Sequence, residues 1–316
     1  MKVLVTGGAG FIGSNLVKSL LQDERFTYVR VLDNLATGFE KNIKEFFDHP
    51  KFNFYKGDIR NYQDCLKACE NIDRISHQAA LGSVPRSIKD PLTTNDVNIT
   101  GTLNIYNAAR EKNIDRIIYA ASSSTYGDNE TLPKKEDDIG NPLSPYAVTK
   151  YVMELYARVF KDLYNIDFIG FRYFNVFGPK QDPEGAYAAV IPLFFKHAIQ
   201  GSDPTINGDG SYSRDFTYVS NVVQANILAL TTEDKTGLNE VYNVACGERN
   251  DLNALWSYIK EITNSTSNAK YGENREGDIP HSLADISKVQ AKLKYDPKIK
   301  IEEGLNNSSD WYKSIN

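Results

Sequence analysis

Tyr146 and Lys150, four residues apart, are the residues of this sequence whose types and spacing point most directly to chemistry. Side chains at this spacing share one face of a helix. A phenol has a pKa of ~10 and works well as a base only when that pKa falls towards ~7, which a neighbouring ammonium favours. Ser122 opens a run of serines directly after an apolar stretch. A hydroxyl there can hydrogen-bond a reacting alcohol, so the three side chains predict removal of an alcohol proton.

A glycine-rich turn follows the first apolar run of the chain, with Gly7, Gly10 and Gly13 in the spacing G-x-x-G-x-x-G. Glycines permit a tight turn and close approach of the backbone to a pyrophosphate, which the N-terminus of the next helix then faces. Asp33 ends the second apolar run, 20 residues after Gly13. That spacing is expected of a carboxylate that holds ribose hydroxyls and disfavours a 2′-phosphate. We therefore predict NAD, rather than NADP, as the cofactor.

The elements that must position these groups alternate between short apolar runs and amphipathic stretches. The predicted strands are 2–6, 29–32, 52–55, 74–76, 116–121, 167–171 and 241–244. The predicted helices are 11–21, 61–70, 95–112, 144–164, 252–263 and 300–313. This alternation predicts an α/β fold, a doubly wound parallel (Rossmann) sheet with a smaller mixed α/β lobe. We expect two domains, an NAD-binding and a substrate-binding one, comprising 1–174 plus about 210–248 and about 175–209 plus 249–316 respectively.

Composition excludes several classes of function. The chain has 316 residues, of which 41% are hydrophobic and 24% charged, and its net charge is −5. Such a mildly acidic chain is poorly suited to binding nucleic acid or an anionic membrane surface. No apolar window approaches the ~20 residues of a membrane span, and the first residues do not read as a signal peptide. The 3 cysteines have no metal-site spacing, so we expect reduced thiols, no metal and a cytoplasmic location.

Further motifs accompany these signals along essentially the whole chain. They are Gly57-Asp58-Ile59, His77-Gln78-Ala79-Ala80, Arg172-Tyr173-Phe174-Asn175, Arg214-Asp215-Phe216 and Arg275-Glu276-Gly277-Asp278. Together with the glycine turn, the serine run and the Tyr-x-x-x-Lys pair, they make the chain resemble the extended short-chain dehydrogenase/reductases, and within them the nucleotide-sugar 4-epimerases. The stretches 78–87 and 120–127 resemble those of the UDP-N-acetylglucosamine 4-epimerase group and of close relatives that act on the corresponding uronic acids.

The resemblance implies reversible epimerisation at C4 of a UDP-sugar through a transient 4-keto sugar, with NAD tightly bound and regenerated in each cycle. It implies that Tyr146 takes the 4-hydroxyl proton, Ser122 holds the oxygen at C4, and Lys150 holds the nicotinamide ribose. The implied cofactor site is Gly7, Gly10, Phe11, Ile12, Gly13, Asp33, Asn34, Gly38, Asp58, Ile59, Gln78, Ala79, Ala80, Tyr146, Lys150 and Tyr173. The implied substrate site is Gly82, Ser83, Arg86, Ser122, Ser123, Tyr146, Asn175, Ala189, Val190, Asn207, Arg214, Arg275, Asp278 and Ser282.

Within that substrate site the resemblance assigns the charged residues to the nucleotide. Arg214 and Arg275 would neutralise the diphosphate, and Asp278 would bind the uridine ribose. Arg86 is a candidate to reach the sugar or, equally, an exposed loop charge. His77 follows a predicted strand, and we expect it to hydrogen-bond the backbone rather than to act as a catalyst.

Ser282 occupies the position that, in the resembled family, gates the pocket around the C2 substituent of the sugar. A bulky aromatic side chain there would exclude an N-acetyl group, whereas serine leaves volume. Gly82, Ser83, Ser123 and Ala189 fall at wall positions of the same pocket, and all are small. We therefore expect a preference for UDP-N-acetylhexosamines, UDP-GlcNAc and UDP-GalNAc, over UDP-glucose and UDP-galactose.

Other functions fit the sequence to different degrees. A 4,6-dehydratase of this family carries Asp-Glu directly after the hydroxyl residue, where this chain has Ser123 and Ser124. A 4-epimerase of UDP-N-acetylhexosaminuronic acids (UDP-GlcNAcA/UDP-GalNAcA) differs only by a C6 carboxylate, and no residue decides between the two substrates. A non-catalytic NAD-sensing protein would lose the tyrosine or the lysine, and both are present. Helices 95–112 and 144–164 resemble those that pair in the homodimers of this family.

Overall fold

The fold is built on a parallel sheet, seen in a computed structural model that describes residues 1–185, 188–273 and 279–315. The strands are β1 (Lys2–Thr6), β2 (Tyr28–Asp33), β3 (Phe52–Lys56), β4 (Arg74–His77), β5 (Arg116–Ser122), β6 (Asp167–Tyr173), β7 (Val176–Phe177), β8 (Thr205–Asn207), β9 (Ser213–Arg214), β10 (Thr217–Tyr218), β11 (Glu240–Val244), β12 (Asn250–Asp251) and β13 (Lys270–Gly272).

Helices connect most of these strands. They are α1 (Phe11–Gln22), α2 (Tyr62–Ala68), α3 (Val84–Lys89), α4 (Pro91–Asn95), α5 (Gly101–Glu111), α6 (Pro145–Tyr164), α7 (Val190–Gln200), α8 (Val219–Thr231), α9 (Leu252–Thr263), α10 (Ser287–Leu293) and α11 (Ile301–Ile315). In the described part of the chain, no helix is long and apolar enough to cross a membrane.

The central sheet has seven strands in the order β11-β6-β5-β4-β1-β2-β3, and all of its pairings are parallel. The strand order reverses between β1 and β4, because the chain moves outward through β2 and β3 and then returns to the other side of β1. A crevice therefore opens at the carboxyl ends of β1 and β4, which is where doubly wound sheets bind ligands. The predicted fold class is confirmed.

Apolar residues cover both faces of this sheet. Along β1, Val3 and Val5 pack with α1, α8 and α10, whereas Leu4 packs with α2, α5 and α6 on the opposite face. Successive strand residues point to opposite faces, so a strand covered on both sides is apolar throughout, as the sequence of β1 is. The sheet and the helices on its two faces therefore form three layers beneath the crevice.

A second core lies in the C-terminal part of the chain, among α7, α9 and α11. Phe195 stacks on Tyr312 with ring centroids 4.5 Å apart, and Phe194 meets Trp256 edge-on at 5.3 Å. Around it lie the short pairs β7–β10, β8–β13 and β9–β12. Helix α10 packs with the core of the main sheet instead. The predicted division into two domains stays a prediction. If it holds, the chain would return to the NAD-binding domain once more, at α10.

Helices α3, α7, α8 and α10 are absent from the sequence-based expectation. The α8 segment is mostly apolar because it packs against the sheet and alongside α1 on the same face, so it lacks the polar stripe that indicates an amphipathic helix. The α7 segment lies between 172 and 240, where the sequence analysis predicts no helix or strand. The helix expected at 95–112 is a π-helical turn at Asp96–Thr100 followed by α5, and α4 ends directly before that turn.

Candidate active site

A cavity of about 510 Å³ opens at the reversal of strand order. All of the predicted cofactor residues line it, and so do three predicted substrate residues, Gly82, Ser122 and Tyr146. Residues that the sequence reasoning missed also line it, namely Leu32, Ala36, Thr37, Gly57, Arg60, Leu81, Thr93, Val97, Ala120, Ala121 and Val176. The roles of these residues stay predictions, but the structure brings the predicted set together in one place.

The glycine turn forms the floor of this cavity at the start of α1. Gly7 has φ +68°, and a Cβ atom on it would lie 2.7 Å from the amide nitrogen of Ala79. A Cβ atom on Gly13 would lie 2.2 Å from the carbonyl oxygen of Gly7. No side chain caps the N-terminus of α1 at Gly10, so its amides face the cavity uncapped. A dinucleotide pyrophosphate fits this bare, positively polarised end.

The carboxylates at the ends of β2 and β3 form the outer side of the cavity. Asp33 accepts hydrogen bonds from the amides of Ala9 (2.9 Å) and Leu35 (2.8 Å), and burial raises its pKa. Asp58 accepts from Asn34 (2.9 Å) and pairs with Arg60, a hydrogen bond that lowers the pKa of Asp58 to about 2. Each fixed carboxylate keeps lone pairs for further donors, which suits a ribose and an adenine.

Helix α6 places Tyr146 and Lys150 at the inner end of the cavity. Its first turn is fixed by Ser144, whose hydroxyl accepts from the amide of Ala147 (3.1 Å), and by Pro145, whose fixed φ suits the first helical position. The ammonium of Lys150 donates to the carbonyl oxygen of Ala120 (2.7 Å) and lies 5.9 Å from the ring centroid of Tyr146.

Burial governs the ionisation of this cluster. It raises the pKa of Tyr146, and a hydrogen bond with Ser122 acts in the opposite direction. It lowers the pKa of Lys150 to about 7 in the protein without ligand. A buried ammonium favours the phenolate beside it, and a cationic nicotinamide would do the same. The arrangement can therefore take a proton from an alcohol that lies against Ser122 and Tyr146.

His77 is a structural residue, as expected, but its partners are hydroxyl groups rather than the backbone. Nδ1 lies 2.7 Å from Thr6 Oγ1, and Nε2 lies 3.0 Å from Thr102 Oγ1. Because Thr102 donates its proton to the carbonyl oxygen of Asn98, Nε2 must carry the ring hydrogen. Burial then lowers the pKa of His77 to about 3. Thr6 in turn accepts from the amide of Ala79 (3.2 Å), which lines the cofactor cavity.

Asn226 is a residue of the site that sequence reasoning missed. It lies on α8 and donates to the phenol oxygen of Tyr173 (2.8 Å), while its own carbonyl oxygen accepts from Gln78 (3.0 Å) and Ser76 (3.1 Å). Because Tyr173 and Gln78 line the cavity, Asn226 fixes two cofactor-facing side chains. The sequence does not single it out, because Asn221 on the same helix is a buried asparagine too.

A second cavity of about 240 Å³ gathers four of the predicted substrate residues, Asn175, Val190, Asn207 and Arg214. Tyr212 and Phe216 add aromatic surface to it. Arg214 is held by the carbonyl oxygens of Ser213 and Pro280, each at 3.0 Å. One guanidinium, two amides and aromatic rings suit a nucleotide.

The other predicted substrate residues that the structure describes line neither of these two cavities. Arg275 and Asp278 fall outside the described residues. Ser83 accepts from the amide of Arg86 (3.3 Å) at the start of α3, Ala189 precedes α7, and Ser123 follows Ser122 in the chain. Ser282 is half-buried, and its amide donates to the carbonyl oxygen of Ser213 (3.0 Å), next to Arg214. Their roles toward a sugar stay predictions.

A doubly wound sheet whose dinucleotide cavity ends at a serine, a tyrosine and a lysine defines a protein of the short-chain dehydrogenase/reductase type. The comparisons with known proteins agree with this. The chain belongs to the NAD dependent epimerase/dehydratase family, whose model matches residues 3–245. The predicted NAD cofactor is thereby confirmed for the family, and the glycine turn and Asp33 fit it.

Three relatives match over nearly their whole length. A UDP-N-acetylglucosamine 4-epimerase from Methanobrevibacter ruminantium M1, solved in complex with UDP-N-acetylmuramic acid, is 40% identical with a TM-score of 0.93, over 99% of this chain and 98% of its own. A UDP-glucuronic acid 4-epimerase from Bacillus cereus, solved with UDP-glucuronic acid and NAD, is 31% identical with a TM-score of 0.93, over 100% of both chains. A UDP-glucose 4-epimerase from Mycolicibacterium smegmatis is 33% identical over 316 residues, 99% of both chains. These relatives share 4-epimerisation of UDP-sugars and differ in the sugar.

Proposed function

We propose that this protein catalyses the reversible C4 epimerisation of a UDP-N-acetylhexosamine, interconverting UDP-GlcNAc and UDP-GalNAc with tightly bound NAD. The observation that carries the proposal is the meeting of Ser122, Tyr146 and Lys150 at the inner end of the NAD cavity. The UDP-sugar 4-epimerase relatives support the reaction. The preferred sugar rests on the residues of this chain and on one relative.

The reaction begins with an alcohol whose oxygen lies against Ser122 and Tyr146. The phenolate of Tyr146 takes the proton of the 4-hydroxyl, and the Ser122 hydroxyl donates a hydrogen bond to the oxygen as it becomes a carbonyl. Bound NAD supplies a hydride acceptor for C4 and later a hydride donor. Lys150 holds positive charge beside the phenol and offers donors to the nicotinamide ribose. In the return step Tyr146 gives the proton back to the oxygen at C4.

Inversion requires the 4-keto sugar to turn over while its nucleotide stays bound. The second cavity suits this, because Arg214, Asn207 and Asn175 would hold the diphosphate and uridine away from the reacting atoms. The sugar could then rotate about its link to the pyrophosphate, so that hydride returns to the other face of C4. The nucleotide contacts therefore act as an anchor rather than as part of the chemistry.

Space beside the reacting end supports an N-acetylated sugar. Gly82 lines the NAD cavity, and a Cβ atom added to it would have no heavy atom within 4 Å. Ser282, at the expected gate, is also small. The M. ruminantium relative, a UDP-N-acetylglucosamine 4-epimerase, is 40% identical to this chain. Each of these points favours a substrate with a bulky C2 group.

The test is product analysis by NMR with purified protein and no added NAD. UDP-GlcNAc, UDP-glucose and UDP-N-acetylglucosaminuronic acid are supplied separately. We expect conversion of UDP-GlcNAc to UDP-GalNAc at a higher kcat/KM than for UDP-glucose. Conversion of the uronate alone would keep the mechanism and replace the substrate. Conversion of none of the three, with NAD bound, would reject the proposal.

We also propose that the protein is a homodimer through α6, one of the two expected helices, with α3 and α4 beside it in place of the other expected helix, 95–112. Val148, Leu155, Val159 and Leu163 form an exposed apolar stripe on α6. On the neighbouring helices Ile88 and Leu92 are 63% and 82% exposed. Helix pairs that carry such stripes can bury them against a second copy. Light scattering after gel filtration should give twice the chain mass, and Val159→Glu with Leu163→Glu should give the monomer mass.

A further inference from the structure

Ser124 carries a hydroxyl that the mechanism above leaves without a role. Its Oγ donates to Ser122 Oγ at 2.8 Å, and its amide nitrogen donates to the same oxygen at 3.1 Å. Ser124 does not line the NAD cavity. We propose that Ser124 is a positioning residue that commits the Ser122 hydroxyl to donate toward Tyr146 and the oxygen at C4. The inference rests on the proposed function and adds to it a residue that does not touch the substrate.

The first step of the argument is a hydrogen-bond inventory. A serine hydroxyl has one hydrogen and two acceptor lone pairs. Ser124 occupies both lone pairs of Ser122, one with its amide and one with its hydroxyl. The single hydrogen of Ser122 is then left for an acceptor on the cavity side. Tyr146 lines the same cavity as Ser122, and the Ser122 hydroxyl lowers the pKa of Tyr146, as a donor to the phenol oxygen does.

Charge fixes the direction of this chain of hydroxyls. A phenolate oxygen and the carbonyl oxygen of a 4-keto sugar carry no hydrogen, so each can only accept a hydrogen bond. Whenever Tyr146 is ionised or C4 is oxidised, Ser122 must donate forward and Ser124 must donate to Ser122. Hydrogen bonds in series polarise one another, so the Ser124 hydroxyl strengthens the donor that meets the developing charge. The same direction serves both halves of the reaction.

Burial limits the access of water to the acceptor of this bond. Ser122 is only 8% exposed, and Ser124 is half-buried. The hydroxyl of Thr125 donates to the carbonyl oxygen of Ser122 (2.8 Å) and does not contact its Oγ. Because the amide of Ser124 would remain, truncation of its side chain removes one of the two donors and leaves the turn in place.

The experiment compares Ser124→Ala with Ser124→Thr, which keeps the hydroxyl, and with Thr125→Val, which removes a hydroxyl from the same turn without touching Ser122 Oγ. In the NAD-loaded protein without sugar, ionisation of Tyr146 is followed by phenolate absorbance, as the difference from the same variant carrying Tyr146→Phe. We expect Ser124→Ala to raise the pKa of Tyr146, and the other two variants to titrate as the wild type. With the sugar nucleotide, kcat of Ser124→Ala should fall roughly 2- to 10-fold at neutral pH, the range of one hydrogen bond, with KM unchanged.

The two readouts separate this inference from the proposed function. An unchanged Tyr146 titration in Ser124→Ala, or a titration shifted equally by Thr125→Val, overturns the positioning role. A shifted titration in a protein that turns over none of the sugar nucleotides upholds the role and rejects the proposed reaction. If Ser124→Ala is poorly folded, Ser124→Cys, with a weaker donor of similar size, should shift the titration in the same direction, and its failure to do so also overturns the role.

Discussion

Lys150 donates a 2.7 Å hydrogen bond from its buried ammonium to the carbonyl oxygen of Ala120, near the end of β5. This bond links the helix that carries Tyr146 to the strand that carries Ser122. Tyr146 lies one turn before Lys150, and Ser122 lies two residues after Ala120. Ser122 and Tyr146, which we propose hold the reacting oxygen, therefore lie on two elements that this bond joins directly.

Lys150 should give the NAD-free protein a characteristic dependence of stability on pH. Burial lowers its pKa to about 7 in the folded protein, while an unfolded lysine titrates near ~10.4. Between these values the unfolded chain binds a proton that the folded chain does not, so the contribution of Lys150 to stability rises with pH across this window. The melting temperature of the wild type minus that of Lys150→Met should increase from pH 7 to pH 10.

The control for this experiment is Lys161→Met, an exposed lysine on the same helix. Its melting-temperature difference from the wild type should stay flat across the same pH range. A difference for Lys150→Met that is equally flat would show that the buried ammonium is not titrating in this window.

Tyr146→Phe should abolish epimerisation and leave NAD bound. Loss of a general base typically costs ~10²–10⁴-fold in rate, and the phenyl ring keeps the shape of the cavity end. Turnover is measured by NMR, and NAD content by its release from the denatured protein. Tyr151→Phe on the same helix, which lines a different cavity, is the matched control and should keep wild-type activity. A Tyr146→Phe protein with unchanged rate would remove the tyrosine from the mechanism.

The NAD site was largely accessible from the sequence because its requirements are local. Gly7, Gly10 and Gly13 are needed by one turn, and Asp33 by the end of one strand, so their spacing carries the information. Every predicted cofactor residue lines the same cavity, at the reversal of strand order. The sheet was accessible for a related reason, since strands covered on both faces read as short apolar runs.

What the sequence did not reveal depends on contacts between distant segments. Asn226 reaches Tyr173 across 53 positions of the chain, and nothing near Asn226 indicates that partner. In the sequence, Ser124 serves only as an argument against a dehydratase, which carries glutamate at that position. Its bond to Ser122 depends on the shape of the turn, which the sequence does not show. The second cavity likewise joins Asn175 to Asn207 and Arg214 through packing of the C-terminal core.

Ser282→Tyr should close the site to acetylated sugars. At the expected gate a phenol would occupy the volume that the C2 substituent needs, and overpacking of this kind is poorly relieved in a half-buried position. We expect turnover of UDP-GlcNAc to be lost and turnover of UDP-glucose to be retained, both measured by NMR. Ser282→Ala is the matched control and should keep both substrates. Activity on UDP-GlcNAc that survives the tyrosine would reject Ser282 as the gate.

A buried ion pair behind the active site should make the packing of α6 on the sheet sensitive to the loss of either partner. Glu154 on α6 binds Arg172 on β6 through two parallel hydrogen bonds of 2.9 and 2.8 Å, and the two side chains are 5% and 4% exposed. Arg172 also donates to the carbonyl oxygen of Glu136 (2.8 Å). Removing one partner of such a pair leaves an uncompensated buried charge, which typically costs ~3–5 kcal/mol.

Glu154→Ala should therefore lower the free energy of unfolding in urea by about 3–5 kcal/mol. Asp162→Ala, which breaks the exposed pair with Lys161 on the same helix, should cost less than about 1 kcal/mol. Because the desolvation of the charges opposes their attraction, Glu154→Leu combined with Arg172→Met should recover most of the loss. A double variant as unstable as Glu154→Ala would mean that the pair itself, rather than the stranded guanidinium, stabilises α6. The helix carries Tyr146 and Lys150, so NAD retention should fall in Glu154→Ala and return in the double variant.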